Sequence, residues 1–282
     1  LARARTDDPR VRLRRPVSWP RAIVFDLDDT LMPEIEAIQA AFRASCATAF
    51  ASDPTAAASL VDRILARARE LWRAADTNAY CQCVGISSWE GLWGEFADRA
   101  GTSRLLRAWQ PQYRALAWRR ALVDIGVSDL KLAAQLSEAF AREARARLAP
   151  YSGAIDAVRA ARESCPVALL TNGESSIQRE KIAAAGFGDA FDAILVSGDI
   201  DTGKPDPAPF RHILAQLGTR AADAVMVGNS LTSDVLGAQR VGMRAVWVGG
   251  NIPAGFPARP DAVVSDVSQA QEAIERLWRS PR

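Results

Sequence analysis

The chain has 282 residues, 49% of them hydrophobic and 24% charged, with a formal net charge of +2. That length suits one large domain or a domain with a sizeable insertion, and the ordinary apolar fraction excludes disorder, collagen and coiled coil as descriptions of the whole. No apolar run reaches the ~18 residues of a membrane helix, and four cysteines without a C-x-x-C pair are too sparse for a disulfide framework. A reduced, cytoplasmic protein without a membrane partner is expected. The single histidine, His212, excludes mechanisms that need a histidine pair and leaves acid–base work to carboxylates.

Charge is unevenly spread. Residues 1–21 hold seven arginines against Asp7 and Asp8, while the rest of the chain has 28 basic and 31 acidic groups. The first twenty residues are expected to be a solvated, disordered basic arm, with no apolar stretch for a secretory signal and no nucleic-acid partner. Ala22–Phe25 then forms a short apolar run ending at Asp26-Leu27-Asp28-Asp29-Thr30-Leu31, the pattern of a buried parallel strand.

From 33 to 149 no strand signal occurs. Asp53-Pro54 is an N-cap and first-turn pair, and Leu60, Ile64, Ala68 and Leu71 follow helical spacing, as do Trp89, Leu92, Trp93 and Phe96. Ser128 is placed to cap a further helix running to Leu148. Five of the eight tryptophans (72, 89, 93, 109 and 118) fall in this block, which reads as an all-helical insertion with its own core.

Beyond Pro150 the strand rhythm returns: Val167–Leu170 before Thr171-Asn172-Gly173, Ala193–Val196 before Ser197-Gly198-Asp199, Ala224–Val227 before Gly228-Asn229-Ser230, and Ala245–Val248 before Gly249-Gly250. Helices are expected over 175–185, 207–217 and 232–241, stopped by Gly186, Gly218 and Gly242. Alternating strands and helices at this spacing predict an α/β fold: a Rossmann-like, doubly wound parallel sheet of right-handed βαβ units. The expected division is an arm at 1–20, a catalytic core at 21–32 and 150–282, and a helical domain at 33–149, with hinges near Leu31–Pro33 and Ala149–Gly153.

In such a sheet ligands bind beyond the C-terminal ends of the strands. This chain puts Asp26, Asp28, Asp29 and Thr30 there, then Thr171, Asn172 and Gly173, then Gly203-Lys204-Pro205-Asp206, and finally Asn229, Ser230, Ser233 and Asp234. Clustered carboxylates call for a cation between them, and an all-oxygen donor set favours Mg²⁺. A lysine and backbone N–H groups at 171–173 suit phosphoryl oxygens. An aspartate can attack phosphorus, and a second can protonate the leaving oxygen if the chain coils tightly after the strand.

The segments D-L-D-D-T-L at 26–31, T-N-G at 171–173, G-K-P-D-P at 203–207 and G-N-S-x-x-x-D at 228–234 resemble, in order, the four motifs of the haloacid dehalogenase-like hydrolase superfamily. The helical block matches the position of that superfamily's type I cap. The resemblance implies Asp26 as nucleophile and metal ligand, and Asp28 as general acid/base with its main-chain carbonyl on the metal. It further implies Thr171 and Lys204 on the phosphoryl oxygens, and Asp234 completing an Mg²⁺ site. Position 229 is Asn where an acidic residue is common, so metal binding is expected to be weakened rather than abolished.

The expected activity is an Mg²⁺-dependent phosphatase acting on a small phosphate ester, as a monomer or homodimer. A phosphomutase commonly carries Gly at the position of Asp29, a dehalogenase has no need of Asp28, and a phosphonate hydrolase needs a cap lysine, for which Lys131 lies late in the block. A silent regulatory protein is the reading that Asn229 keeps open. Met32 and Glu34 lie beside the nucleophile, and Trp89, Tyr113, Trp118, Arg119 and Arg120 are the cap candidates for substrate contact, in a mix that suits a sugar, nucleotide or flavin phosphate alike.

Overall fold

β1 (Ala22–Phe25) is buried along its whole length because both its faces are covered. In the computed structural model, which describes residues 19–97 and 101–279, β1 lies inside a six-stranded sheet. The other strands are β2 (Val167–Thr171), β3 (Ala193–Val196), β4 (Ala224–Gly228), β5 (Arg244–Val248) and β6 (Ala262–Val264). Their order is β3-β2-β1-β4-β5-β6 and every pairing is parallel. The α/β parallel fold is as expected. The basic arm lies outside the described residues up to position 18.

Alternation along each strand feeds two cores. Ile23, Phe25, Leu169 and Val227 face one side, where they meet α7 (Ala154–Ser164) and α11 (Ala270–Arg279) through Val158 and Ile274. Val24, Leu170 and Met226 face the other, against Phe210 of α9 (Pro207–Gln216) and Ala238 of α10 (Gly237–Arg240). Strand order reverses on either side of β1, so the crevice beyond its C-terminal end is the switch point of the sheet.

Between β1 and β2 the chain forms α1 (Glu34–Ala49), α2 (Pro54–Arg73), α3 (Asn78–Val84), α4 (Ser88–Trp93), α5 (Gly101–Asp124) and α6 (Leu130–Arg145). These helices enclose a third core in which Phe42 stacks on Phe140 at 4.0 Å and lies 6.2 Å from Trp118. Asp53 caps α2 through the Ala56 N–H, as its sequence implied. Asp129 rather than Ser128 caps α6, because its carboxylate reaches the N–H groups of Lys131 and Leu132, and the helix ends at Arg145 rather than Leu148.

Two further differences concern the sheet half. The segment expected as a helix over 232–241 opens as a wide turn at Leu231–Leu236, in which the Val235 N–H reaches back five residues to Ser230 O, before α10. The three-residue edge strand β6 carries too short a pattern to be read from sequence. α8 (Ser175–Ala184) sits on the seam of the two halves: Ile177 packs into the helical core and Ile182 into the sheet core. Among the described residues no helix is long and apolar enough to cross a membrane.

Candidate active site

The site begins with a tight coil. Leu27 O accepts hydrogen bonds from the N–H groups of Thr30, Leu31 and Met32, and Asp29 takes a left-handed φ of +56°. Asp29 Oδ1 then accepts the Ile35 N–H at the start of α1. Asp28 lies within this coil, and its carboxylate meets Gln178 and Lys181 of α8.

Lys204 organises the floor. Its buried Nζ donates to Asp26 Oδ1 at 2.6 Å, to Asp234 Oδ1 at 2.7 Å and to Leu170 O at 2.7 Å, which uses all three ammonium protons. Thr30 Oγ1 donates to Asp26 Oδ2 at 2.9 Å and accepts the Asn229 N–H at 2.9 Å, so one hydroxyl ties the first and fourth motifs together. Asn229 Oδ1 lies 3.3 Å from the same hydroxyl. The Ser230 N–H donates to Asp234 Oδ2. Burial, followed by the charge of Asp26, pushes the Asp234 pKa up to about 6 against the pull of Lys204. Burial works against the charge of Lys204, but Asp234 and Asp26 outweigh it and raise its pKa.

The wall facing Asp28 comes from α8. Gln178 Nε2 donates to Asp28 Oδ2 at 3.1 Å, and Lys181 Nζ lies 3.1 Å from both Asp28 oxygens. Lys181 also meets Glu34 at 2.5 Å and Glu90 at 3.0 Å. Asp28, Glu34 and Glu90 place carboxylate oxygens within 4.8 Å of one another, and the buried Lys181 ammonium contacts all three. One cation cannot neutralise three buried carboxylates. Accordingly, burial pushes Asp28 up to about 6, where Lys181 opposes the rise and Glu90 and Asp26 add to it. Burial, then the charge of Asp28, pushes Glu34 up to about 8 despite Lys181.

The structure thus brings together Asp26, Asp28, Thr171, Lys204, Asn229 and Asp234. Asn172 serves the loop rather than an open pocket: its side chain donates to Lys204 O and accepts the Lys204 N–H, both at 2.8 Å. Gly173 was expected to offer its N–H to phosphoryl oxygens; that N–H instead reaches Ser197 Oγ at 2.8 Å and Val84 O at 3.1 Å, so it anchors the helical half. Thr171 Oγ1 donates to Gln178 Oε1 at 3.2 Å.

The candidates in the helical block fare differently. Tyr113 is buried at 1% exposure, stacks on Trp109 and donates its hydroxyl to Ser88 O at 2.7 Å, which makes it a core residue rather than a substrate contact. Trp118 is likewise sealed in that core. Trp89 packs against the same core from its margin, and Arg119 is exposed on α5. What reaches the strand ends is the stretch 83–90: Cys83 O accepts the Gly203 N–H, Val84 O accepts from Gly173 and Ser197, and Glu90 meets Lys181 and Gln178.

Gln178, Lys181 and Glu90 were missed because polar residues on a helix normally face water. Their one trace in the sequence is that Lys181 is one of only three lysines among 35 basic residues and stands three positions after Gln178.

The sequence profile of the haloacid dehalogenase-like hydrolases matches residues 20–242. The phosphoserine phosphatase of Thermus thermophilus is 35% identical over 256 residues, covering 88% of this chain and 97% of that protein. The N-acylneuraminate-9-phosphatase of Rattus norvegicus is 36% identical over 119 residues, which span 41% of this chain and 48% of that protein. Among solved structures, the 2-haloacid dehalogenase of Pseudomonas syringae superposes with a TM-score of 0.56 at 25% identity, covering 91% of this chain and 99% of that one. A hydrolase of Bacillus subtilis crystallised with magnesium gives 0.61 at 18% identity over the same shares, a likeness of fold alone. The chain belongs to the haloacid dehalogenase-like hydrolase family.

Proposed function

We propose that the protein is an Mg²⁺-dependent phosphatase that cleaves a small phosphate monoester through an aspartyl-phosphate on Asp26. The observation that carries this reading is the buried Asp26–Lys204–Asp234 triad beyond the central strand, with Asp28 two residues on and its carboxyl pKa near neutrality. A carboxyl poised at about 6 can both give and take a proton near neutral pH.

In the first step an Asp26 oxygen attacks phosphorus and the bond from phosphorus to the ester oxygen breaks. Asp28 hands its proton to the departing alkoxide. In the second, water attacks the phosphorus of the acyl phosphate, its proton passes to Asp28, and inorganic phosphate leaves with Asp26 restored. Lys204 and the Thr171 hydroxyl would hold the non-bridging oxygens by exchanging for them one of the contacts each makes in the free protein, to Asp26 or Leu170 O and to Gln178 Oε1. The donor set fits a hard cation: Asp26, Asp234 and Asn229 side-chain oxygens, with the Asp28 main-chain carbonyl, and the crowding that raises the Asp234 pKa is what a divalent charge would relieve. Mg²⁺ held there would supply charge neutralisation at the phosphoryl oxygens. Substrate choice would rest on the stretch 83–90 of the helical block.

The test is release of inorganic phosphate from a panel of monoesters that includes phosphoserine, with Mg²⁺ and with EDTA, alongside chloride release from 2-chloropropionate. Phosphate release that needs Mg²⁺ and falls about 10³-fold or more in Asp26→Asn supports the reading. Chloride release without phosphate release would replace it with dehalogenation.

A further inference from the structure

We propose that Gln178 and Lys181, neighbours one turn apart on α8, are positioning residues that set the Asp28 carboxyl for proton transfer to the leaving group, with Glu90 as their anchor from the helical half. The inference rests on the proposed role of Asp28 as general acid/base.

Both side chains are buried, Gln178 at 0% and Lys181 at 1% exposure, and they reach Asp28 from the same side. Each Asp28 oxygen has a donor: Lys181 Nζ spans both, and Gln178 Nε2 takes Oδ2. The amide of Gln178 has one orientation that satisfies its surroundings. Its Oε1 accepts the Thr171 hydroxyl at 3.2 Å, which leaves Nε2 for Asp28 and for Glu90 Oε1 at 3.1 Å. Gln178 therefore links the hydroxyl assigned to the phosphoryl oxygens with the carboxyl assigned to the leaving oxygen.

Room for this side chain is made by Gly173, whose φ of +141° and missing Cβ matter: a Cβ there would stand 2.4 Å from Gln178 Nε2.

Glu90 is fixed in turn by its own helix. Its Oε2 accepts the Ser87 N–H at 2.8 Å and the Ser87 hydroxyl at 2.9 Å in a reciprocal cap of α4, so Oε1 is held against Lys181 and Gln178. A carboxyl gripped on both oxygens loses rotational freedom, and general-acid efficiency depends on that geometry. Gln178 and Lys181 share one face of α8 and contact Asp28 directly, and Glu90 from the helical half contacts both of them.

The consequence is a dependence on the leaving group. An alkyl phosphate expels a strongly basic alkoxide and needs the acid, whereas 4-nitrophenyl phosphate expels a weakly basic phenolate and needs it little. kcat/KM reports events up to the first irreversible step, so it isolates leaving-group departure from the later hydrolysis. Lys181→Met, Gln178→Met and Glu90→Gln should each lower kcat/KM for an alkyl phosphate turned over by the wild type about tenfold or more beyond the loss for 4-nitrophenyl phosphate. Asp28→Asn should show the same selectivity more strongly. Far-ultraviolet circular dichroism and thermal melts select the folded variants. Gln178→Met and Glu90→Gln carry the test if Lys181→Met, which leaves three carboxylates without their cation, fails to fold. Equal losses for both esters, or no loss for either, overturn the positioning role. A failure of Asp28→Asn itself to discriminate between the esters would instead overturn the acid/base reading beneath it.

Discussion

Asp199 shows how a single side chain near the site is held by balance rather than by one contact. Burial opposes its charge, but hydrogen bonds from Arg179 and Ser175 and from the Val196 N–H outweigh that cost and depress its pKa. A carboxylate with a depressed folded-state pKa adds stability above its unfolded pKa, and that stability is lost as the pH falls through the folded value. Asp199→Asn should therefore lower the melting temperature more at pH 7 than at pH 3, read by paired thermal scans. Equal shifts at both values would show that packing and not charge makes Asp199 matter. The same logic separates the two lysine sites: Lys204 meets two carboxylates and Lys181 meets three, and only the second leaves a carboxyl, Glu34, raised to about 8.

At the level of elements, the α3–α4 connection docks the helical half onto the strand-end loops through backbone groups. Gly85 makes the approach possible. It ends α3 at φ +88°, and a Cβ there would meet Asn172 Cβ at 2.8 Å. Asn172 cannot yield, because both ends of its amide clamp Lys204. Gly85→Ala should cost about 1–2 kcal/mol from the left-handed backbone alone, seen in urea unfolding. It should lower turnover as well, because the strain falls on the loop that carries Lys204. Normal activity in a destabilised Gly85→Ala protein would show that this contact holds structure without tuning the site. The wide turn at Leu231–Leu236 has a comparable task, since it brings the Asp234 carboxylate to Lys204 while the Ser230 N–H holds its other oxygen.

The molecule as a whole has separate cores in its two halves, bridged by α8 and by the polar seam around Lys181. Phe42, fully buried between Phe140 and Trp118, belongs to the helical half alone. Phe42→Ala should remove about 3–5 kcal/mol and split urea unfolding into two transitions. Tryptophan fluorescence would report the first, because five of the eight tryptophans lie in that half. A single, uniformly shifted transition would mean that the seam makes both halves one cooperative unit.

The sequence by itself determined the parallel α/β sheet and the strand-end residues Asp26, Thr171, Lys204 and Asp234. Those signals are local: a buried strand is a short apolar run, and its chemistry lies at its end or in the connection that follows it. It also determined that residues between β1 and β2 are helical, from spacing such as Leu60, Ile64 and Ala68. Only the tertiary structure decided which side chains of that helical half approach the site. Tyr113 and Trp118 went to the interior because large aromatic groups are buried most favourably in their own core, while Glu90 turned toward the sheet because Lys181 and Gln178 awaited it there. Polar residues of one helix face are indistinguishable from solvated ones until a partner from a distant segment is known. The separation of 91 residues between Glu90 and Lys181 lies beyond any periodicity, and their pairing exists only once α4 and α8 have packed.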